Sequence, residues 1–375
     1  MVIYLITFIL SCLFFSFATK TRGVVRFLWL SVSILIPSML AGLRDESIGT
    51  DMGTYGISAW QEACCSSSLE NYILGLTIAK GSMEIGYLIM NWAVSRITND
   101  IHFYMFFHQF FVLLFVLGAY WRLRKKIIPF MSLLIYFLFI YNMSLSMLRQ
   151  MLAIAILMYG ITYLLDNKKP KKRIFYGCCG FALLFHNSVI FIILIPLCKY
   201  LVSKFGKHMG VIYLCSIIGV IFIAVMYQSL LSSLMEYGIV SAKYEMYMDQ
   251  EGYKSHKINL LVEAMLLGSM FIFIKLVRKE NRDDQFCKLV QLLLLLSLCM
   301  ELLGGIVETA TRVVYYLILI SCLYFPLSSC DIRFKRYLSC AFCFSMLLMF
   351  VYVSLERGVV NADTIPYTSK ILGIE

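Results

Sequence analysis

The stretch GVIYLCSIIGVIFIAVMYQSLLS, residues 210–232, runs for 23 positions without one charged side chain. About 18 or more such residues are enough to cross the hydrocarbon core of a bilayer as a helix. Lipid offers the backbone no hydrogen bonds, so a crossing segment must be a helix or a strand of a closed barrel. Barrel strands alternate apolar and polar positions, and this run does not. Similar runs recur along the 375 residues, of which 61% are apolar and only 15% charged. A soluble domain would carry roughly a quarter of its residues as charges.

The fold class is therefore all-α, a polytopic transmembrane helical bundle. Candidate crossings are 2–19, 24–43, 102–121, 127–146, 148–165, 174–187, 188–201, 210–232, 258–278, 288–306, 312–328 and 337–355. That is about 12, with both termini on one side. The run 2–19 is followed by Lys20 and Arg22 without a small-residue cleavage site, so it reads as a first span rather than a signal peptide. Glu84–Ile97 is too short for a crossing and holds Asn91 and Arg96, which makes it an interfacial helix on the outer side. Residues 1–375 then form a single polytopic membrane domain with two long outer loops, 44–101 and 236–257.

The net charge of +11 does not imply nucleic acid, because the basic residues fall in short clusters between apolar runs. Such clusters orient membrane proteins by collecting on the cytoplasmic side. Under the layout above, 23 of the 33 basic residues face the cytoplasm, including Arg122–Lys126 and Lys168–Arg173. A full crossing at Glu84–Ile97 would have put the first of those clusters outside. The 13 cysteines lie mostly within apolar runs, where they read as small packing residues.

Polar groups at the outer ends of the spans are then the informative ones, since charges near a bilayer interior are costly. Arg44 opens the run Arg44-Asp45-Glu46-Ser47-Ile48-Gly49-Thr50-Asp51, with Tyr55 beyond it. This is a solvated loop behind a topological arginine, or an anion site at the membrane lip. Arg149 in Leu148-Arg149-Gln150 stands where orientation gives no reason for a cation. It either snorkels to lipid headgroups or binds a phosphate or carboxylate through its five donors. His186, in Phe185-His186-Asn187-Ser188, sits at a polar hairpin tip as a packed histidine or an acid–base group. Glu308 and Arg312, four apart, form an intrahelical ion pair or add a base and a third arginine. No nucleotide loop or zinc motif appears. An outward face bearing Arg44, Arg149 and Arg312 suits a lipid-linked phosphate or pyrophosphate.

Leu43-Arg44, Gly49-Thr50-Asp51 with Tyr55, Glu84-Ile85-Gly86-Tyr87, Leu148-Arg149-Gln150 and Phe185-His186-Asn187-Ser188, closed by Ile365-Pro366-Tyr367, resemble the EpsG family in order and placement. These are Wzy-like bacterial exopolysaccharide and O-antigen polymerases. The acidic stretch Asp45-Glu46-Ser47-Ile48 departs from the family pattern. The resemblance implies a metal-independent glycosyltransferase without cofactor, outside the cytoplasmic membrane. It would join oligosaccharide repeat units carried on undecaprenyl pyrophosphate, alongside a flippase and a chain-length regulator of the same pathway. Arg44, Arg149 and Arg312, with Tyr55, Gln150 and Asn187, would hold substrate, and His186, Asp51 or Glu308 would be the base. A lipid-linked oligosaccharide flippase or an O-antigen ligase is the alternative. A flippase, however, should carry ionisable groups in both leaflets rather than crowded at one end.

Overall fold

The computed structural model describes residues 1–80, 83–165, 170–236, 264–265, 267–272, 284–304, 308–324, 340, 343–348, 350–352 and 364–374. Nearly all of these are helical, and the only extended pairing among them is an isolated bridge between Ser369 and Ile374. The chain packs as two compact units, Met1–Ile190 with Cys322–Glu375, and Phe191–Ser321.

In the first unit, α1 (Val2–Lys20) and α2 (Gly23–Leu43) form a hairpin. Pro37 inside α2 has no N–H to give, which leaves the carbonyl one turn earlier, at Ser33, without its helical partner. Ser11 of α1 supplies that hydrogen bond at 2.7 Å, so the defect becomes a cross-link between the two helices. After α2 come a π-helical turn at Met52–Gly56 and three short helices, α3 (Ile57–Cys65), α4 (Leu69–Lys80) and α5 (Ile85–Ser95). At about 1.5 Å per residue, the 11 residues of α5 reach roughly 16 Å, half of a bilayer core. Tyr87 and Asn91 are fully buried, with Asn91 donating to the Tyr72 hydroxyl at 3.3 Å, so α5 is packed against protein.

The long α6 (Ile101–Leu123) starts at Asp100, whose carboxylate accepts the His102 N–H at 2.8 Å. Pro129 opens α7 (Pro129–Tyr136), where its missing N–H costs nothing. A π-helical turn at Phe137–Tyr141 joins α7 to α8 (Asn142–Ser146). Then comes α9 (Leu148–Leu164), apolar on every side and buried on every side, packed between α6 and α10 (Lys172–Leu183).

In the second unit, α11 (Leu194–Phe205), α12 (Met209–Glu236) and α14 (Glu308–Leu317) pack against α13 (Asp284–Leu303), and α15 (Leu319–Tyr324) follows.

Six described helices are long and apolar enough to cross a membrane: Val2–Lys20, Gly23–Leu43, Ile101–Leu123, Pro129–Ser146, Asn187–Phe205 and Gln285–Leu303. Among the described residues the expected count of about 12 is not confirmed. The run 312–328 breaks into α14 and α15, and 174–187 shortens to the 12 residues of α10. The 17 residues of α9 fall just short of the length of the six, and most are buried in protein. All but the first residue of the loop 236–257 and most of the expected crossing 258–278 lie outside the described residues, and the expected crossing 337–355 is described only in part. Exposed apolar side chains on α1, α2 and α12, such as Val24, Phe27 and Phe222, suit a lipid face.

Residues 364–374 return to the first unit and settle on the end of α2. The last carbonyls of a helix have no partner within it. Here the Tyr367 hydroxyl donates to the Leu40 carbonyl at 3.0 Å and the Ser369 hydroxyl to that of Leu43 at 2.5 Å. Asp45 completes the clamp from both ends, its N–H donating to the Thr368 carbonyl and its carboxylate accepting the Lys370 N–H at 2.9 Å. The Lys370 amide and the Thr368 hydroxyl hold the Asp45 carboxyl below its ordinary pKa. The acidic departure from the family pattern thus has a local role.

Candidate functional site

Two glycines set the site's geometry. Gly49 has φ +98°, a left-handed conformation, and a Cβ there would overlap the Leu145 carbonyl oxygen. Only glycine lets this turn lie flat on the α8–α9 junction. The Thr50 N–H then donates to Ser146 Oγ at 3.0 Å, and Asp51 Oδ2 accepts the Leu148 N–H at 3.0 Å. That amide is one of the unpartnered donors at the start of α9, and a carboxylate is favoured there by the helix dipole. Asp51 Oδ2 also accepts the Tyr55 hydroxyl, one turn along the π-helical segment. Burial, then the Asp51 charge, pushes the Tyr55 phenol well above its ordinary pKa, so it remains a donor.

Tyr55 in turn presents its ring to Arg149, whose guanidinium carbon lies 4.4 Å from the ring centroid. Such cation–π contacts fix a guanidinium plane while leaving its edges for other partners.

The second glycine, Gly86, docks the start of α5 on the end of α10. Its N–H donates to the Leu184 carbonyl at 2.7 Å, and a Cβ would come within 2.7 Å of the same oxygen. Glu84, just ahead of α5, is thereby brought to Arg149, with Oε2 2.5 Å from Nη1. Its other oxygen accepts the Asn187 N–H at 3.4 Å. Burial raises the Glu84 pKa, but Arg149 and then His186 outweigh it and hold the carboxyl below its ordinary range. Its stabilising contribution is therefore complete above the ordinary carboxylate pKa and is lost as pH falls through the depressed one. His186 Nδ1 accepts the Ser188 N–H at 3.1 Å and lies 2.6 Å from Ser188 Oγ. An Nδ1 that accepts leaves the proton of a neutral imidazole on Nε2.

Asp51, Tyr55, Arg149, His186 and Asn187 are thus brought together, as their shared placement in the sequence suggested. Arg44 is nearby but differently set: it is 2% exposed, donates from Nη2 to the Leu145 carbonyl at 3.1 Å, and lies within reach of Tyr4, Tyr141, Tyr367 and Tyr104. It presents no open guanidinium. Gln150 is buried within α9. Glu308 and Arg312 belong to α14 of the second unit.

The reading from residues alone gave Glu84 no place in the site, although it opened one of the motifs that carry the family resemblance and bounded the segment that decided the topology. The signal was present, since an arginine on the side that charge bias leaves empty calls for a carboxylate. Among the described residues no group of three His, Cys, Asp or Glu side chains could hold a metal ion. Arg149, one-fifth exposed and fixed over Tyr55, is placed where it can meet an anionic ligand.

The EpsG family model matches residues 27–369, nearly the whole chain. No curated protein and no solved structure matches it.

Proposed function

Since the chain belongs to the EpsG family, we propose that it is a membrane glycosyltransferase of the exopolysaccharide-polymerase type. It joins oligosaccharide repeat units carried on undecaprenyl pyrophosphate, on the outer side of the cytoplasmic membrane. The observation that carries this reading is Arg149, held over Tyr55 by a chain of contacts running from Gly49 through Asp51.

Transfer of a glycosyl group from a lipid pyrophosphate needs a cation for the leaving group and a base for the acceptor hydroxyl. Arg149 takes the first part, because a guanidinium fixed in advance spends little entropy on gripping two phosphate oxygens. Asp51 and Tyr55 position it. His186, with its proton on Nε2, donates beside it, and the exposed Asn187 edges the same opening. Arg44 adds positive potential from beneath, through the Leu145 carbonyl.

The test is Arg149→Ala in cells that make the polymer. Polymer should vanish while protein level stays near normal and single lipid-linked repeats accumulate; Arg149→Lys should restore only part, since an ammonium lacks the planar fork. Full-length polymer from Arg149→Ala cells would reduce this residue to a helix-end anchor.

A further inference from the structure

Glu84 is unexplained by a site that needs only a cation and a base, because it occupies the cation. Its carboxylate faces Arg149 at 2.5 Å, yet the side chains of the pair remain 12% and 20% exposed, so a ligand can reach them. Its second contact is weak, the 3.4 Å bond from Asn187 N–H. It stands ahead of α5 rather than within it, and α5 is anchored independently by Gly86 on Leu184. The side chain can therefore swing away without moving the helix.

A pyrophosphate brings more than one negative charge and can grip a guanidinium through two oxygens, whereas Glu84 offers Arg149 one. The other candidate bases of this unit are already engaged. Asp51 Oδ2 accepts from both Tyr55 and the Leu148 amide, and His186 Nδ1 accepts from Ser188.

Building on the polymerase reading, we propose that Glu84 is a resident counter-ion that the lipid pyrophosphate displaces from Arg149, and that the freed carboxylate is the catalytic base. Displacement removes a neighbouring cation and adds a neighbouring anion, and both changes favour the protonated carboxyl. Seating the leaving group thus makes the base competent in the same event. Glu84 takes the proton of the acceptor hydroxyl while that oxygen bonds to the anomeric carbon of the donor sugar. The bond from that carbon to the pyrophosphate breaks, and its electron pair departs on the phosphate oxygen held by Arg149. Glu84 later returns its proton to solvent.

Binding and turnover separate the two roles. Binding is measured with undecaprenyl pyrophosphate, and turnover with lipid-linked oligosaccharide extracted from the host membrane, on full-length protein in lipid. Glu84→Gln keeps the shape of the side chain but loses its charge. It should bind undecaprenyl pyrophosphate about tenfold more tightly, having freed Arg149, and turn over at least about 100-fold more slowly. Glu84→Asp should lie between the two in turnover. Turnover of Glu84→Gln within about threefold of wild type would remove the base, and binding no tighter than wild type would remove the counter-ion. Wild-type protein that neither binds undecaprenyl pyrophosphate nor turns over would instead overturn the polymerase reading itself.

Discussion

Arg44 and Arg149 are the same residue type, and each stands beside a helix end that meets the α8–α9 junction. Their surroundings differ. Arg44 is closed in by tyrosines, with the Leu145 carbonyl as its hydrogen-bond acceptor and the returning segment 364–374 clamped on the adjacent end of α2. Arg149 faces a carboxylate across a partly open edge. A buried arginine bound to a carbonyl cannot exchange partners without unpacking its neighbourhood, so it holds structure and contributes potential. An arginine paired with a carboxylate at an opening can trade that partner for a stronger anion. Charge alone does not separate the two uses; the exchangeability of the partner does.

Substitution should break or sharpen this contrast. The largest effect is expected where the two regions meet. Gly49→Ala forces a Cβ into the Leu145 carbonyl that Arg44 uses, at a left-handed φ. It should cost about 3 kcal/mol and impair both regions together. Thermal unfolding in detergent and polymer yield should both fall, and an unaltered melting temperature would show that the turn is not their common support.

Next is Arg44→Ala beside Arg149→Ala. The first strands a buried carbonyl and leaves a void, and should lose about 2 kcal/mol of stability. The second should melt within a few degrees of wild type while making no polymer. The reverse pattern would interchange the two roles.

The smallest effect belongs to Asp45→Ala, which removes the acceptor for the Lys370 N–H. Tryptic cleavage after Lys370, followed by mass spectrometry, should speed up several-fold while lipid pyrophosphate binding at Arg149 stays unchanged. Equal cleavage rates would mean that the hydroxyl contacts and the backbone bond from residue 45 to Thr368 hold the tail without the carboxylate.

Much of this was legible in the sequence, for identifiable reasons. Apolar runs give helices because a backbone away from water must satisfy itself, and the short Glu84–Ile97 segment did form a helix, Ile85–Ser95. Arg149 and the His186–Asn187 tip stood out because orientation did not require polarity there. Hydropathy could not distinguish burial in lipid from burial in protein, so it gave no sign that α9 is enclosed by other helices. Nor could it place Arg44, whose enclosure depends on Tyr4 and Tyr367 arriving from opposite ends of the chain. The contact of Gly49 with Leu145 joins residues far apart in sequence and leaves no local trace beyond the glycine itself. Glu84 was visible, in a motif of the family resemblance and at the edge of the topological segment, but was not weighed as a site residue.

The clamp of 364–374 on α2 also has a bearing on how the protein is made. Ribosomes deliver the end of α2 more than 320 residues before the residues that satisfy its final carbonyls. While those intervening residues are made, the end of α2, with Arg44 next to it, waits for partners that have not yet been translated. A prematurely terminated product would keep that end open, polar groups unmet at the edge of a lipid-facing helix. Residues 364–374 thus close an end of α2 that stays open until they are translated, so this corner of the first unit cannot finish folding in the order in which it is made.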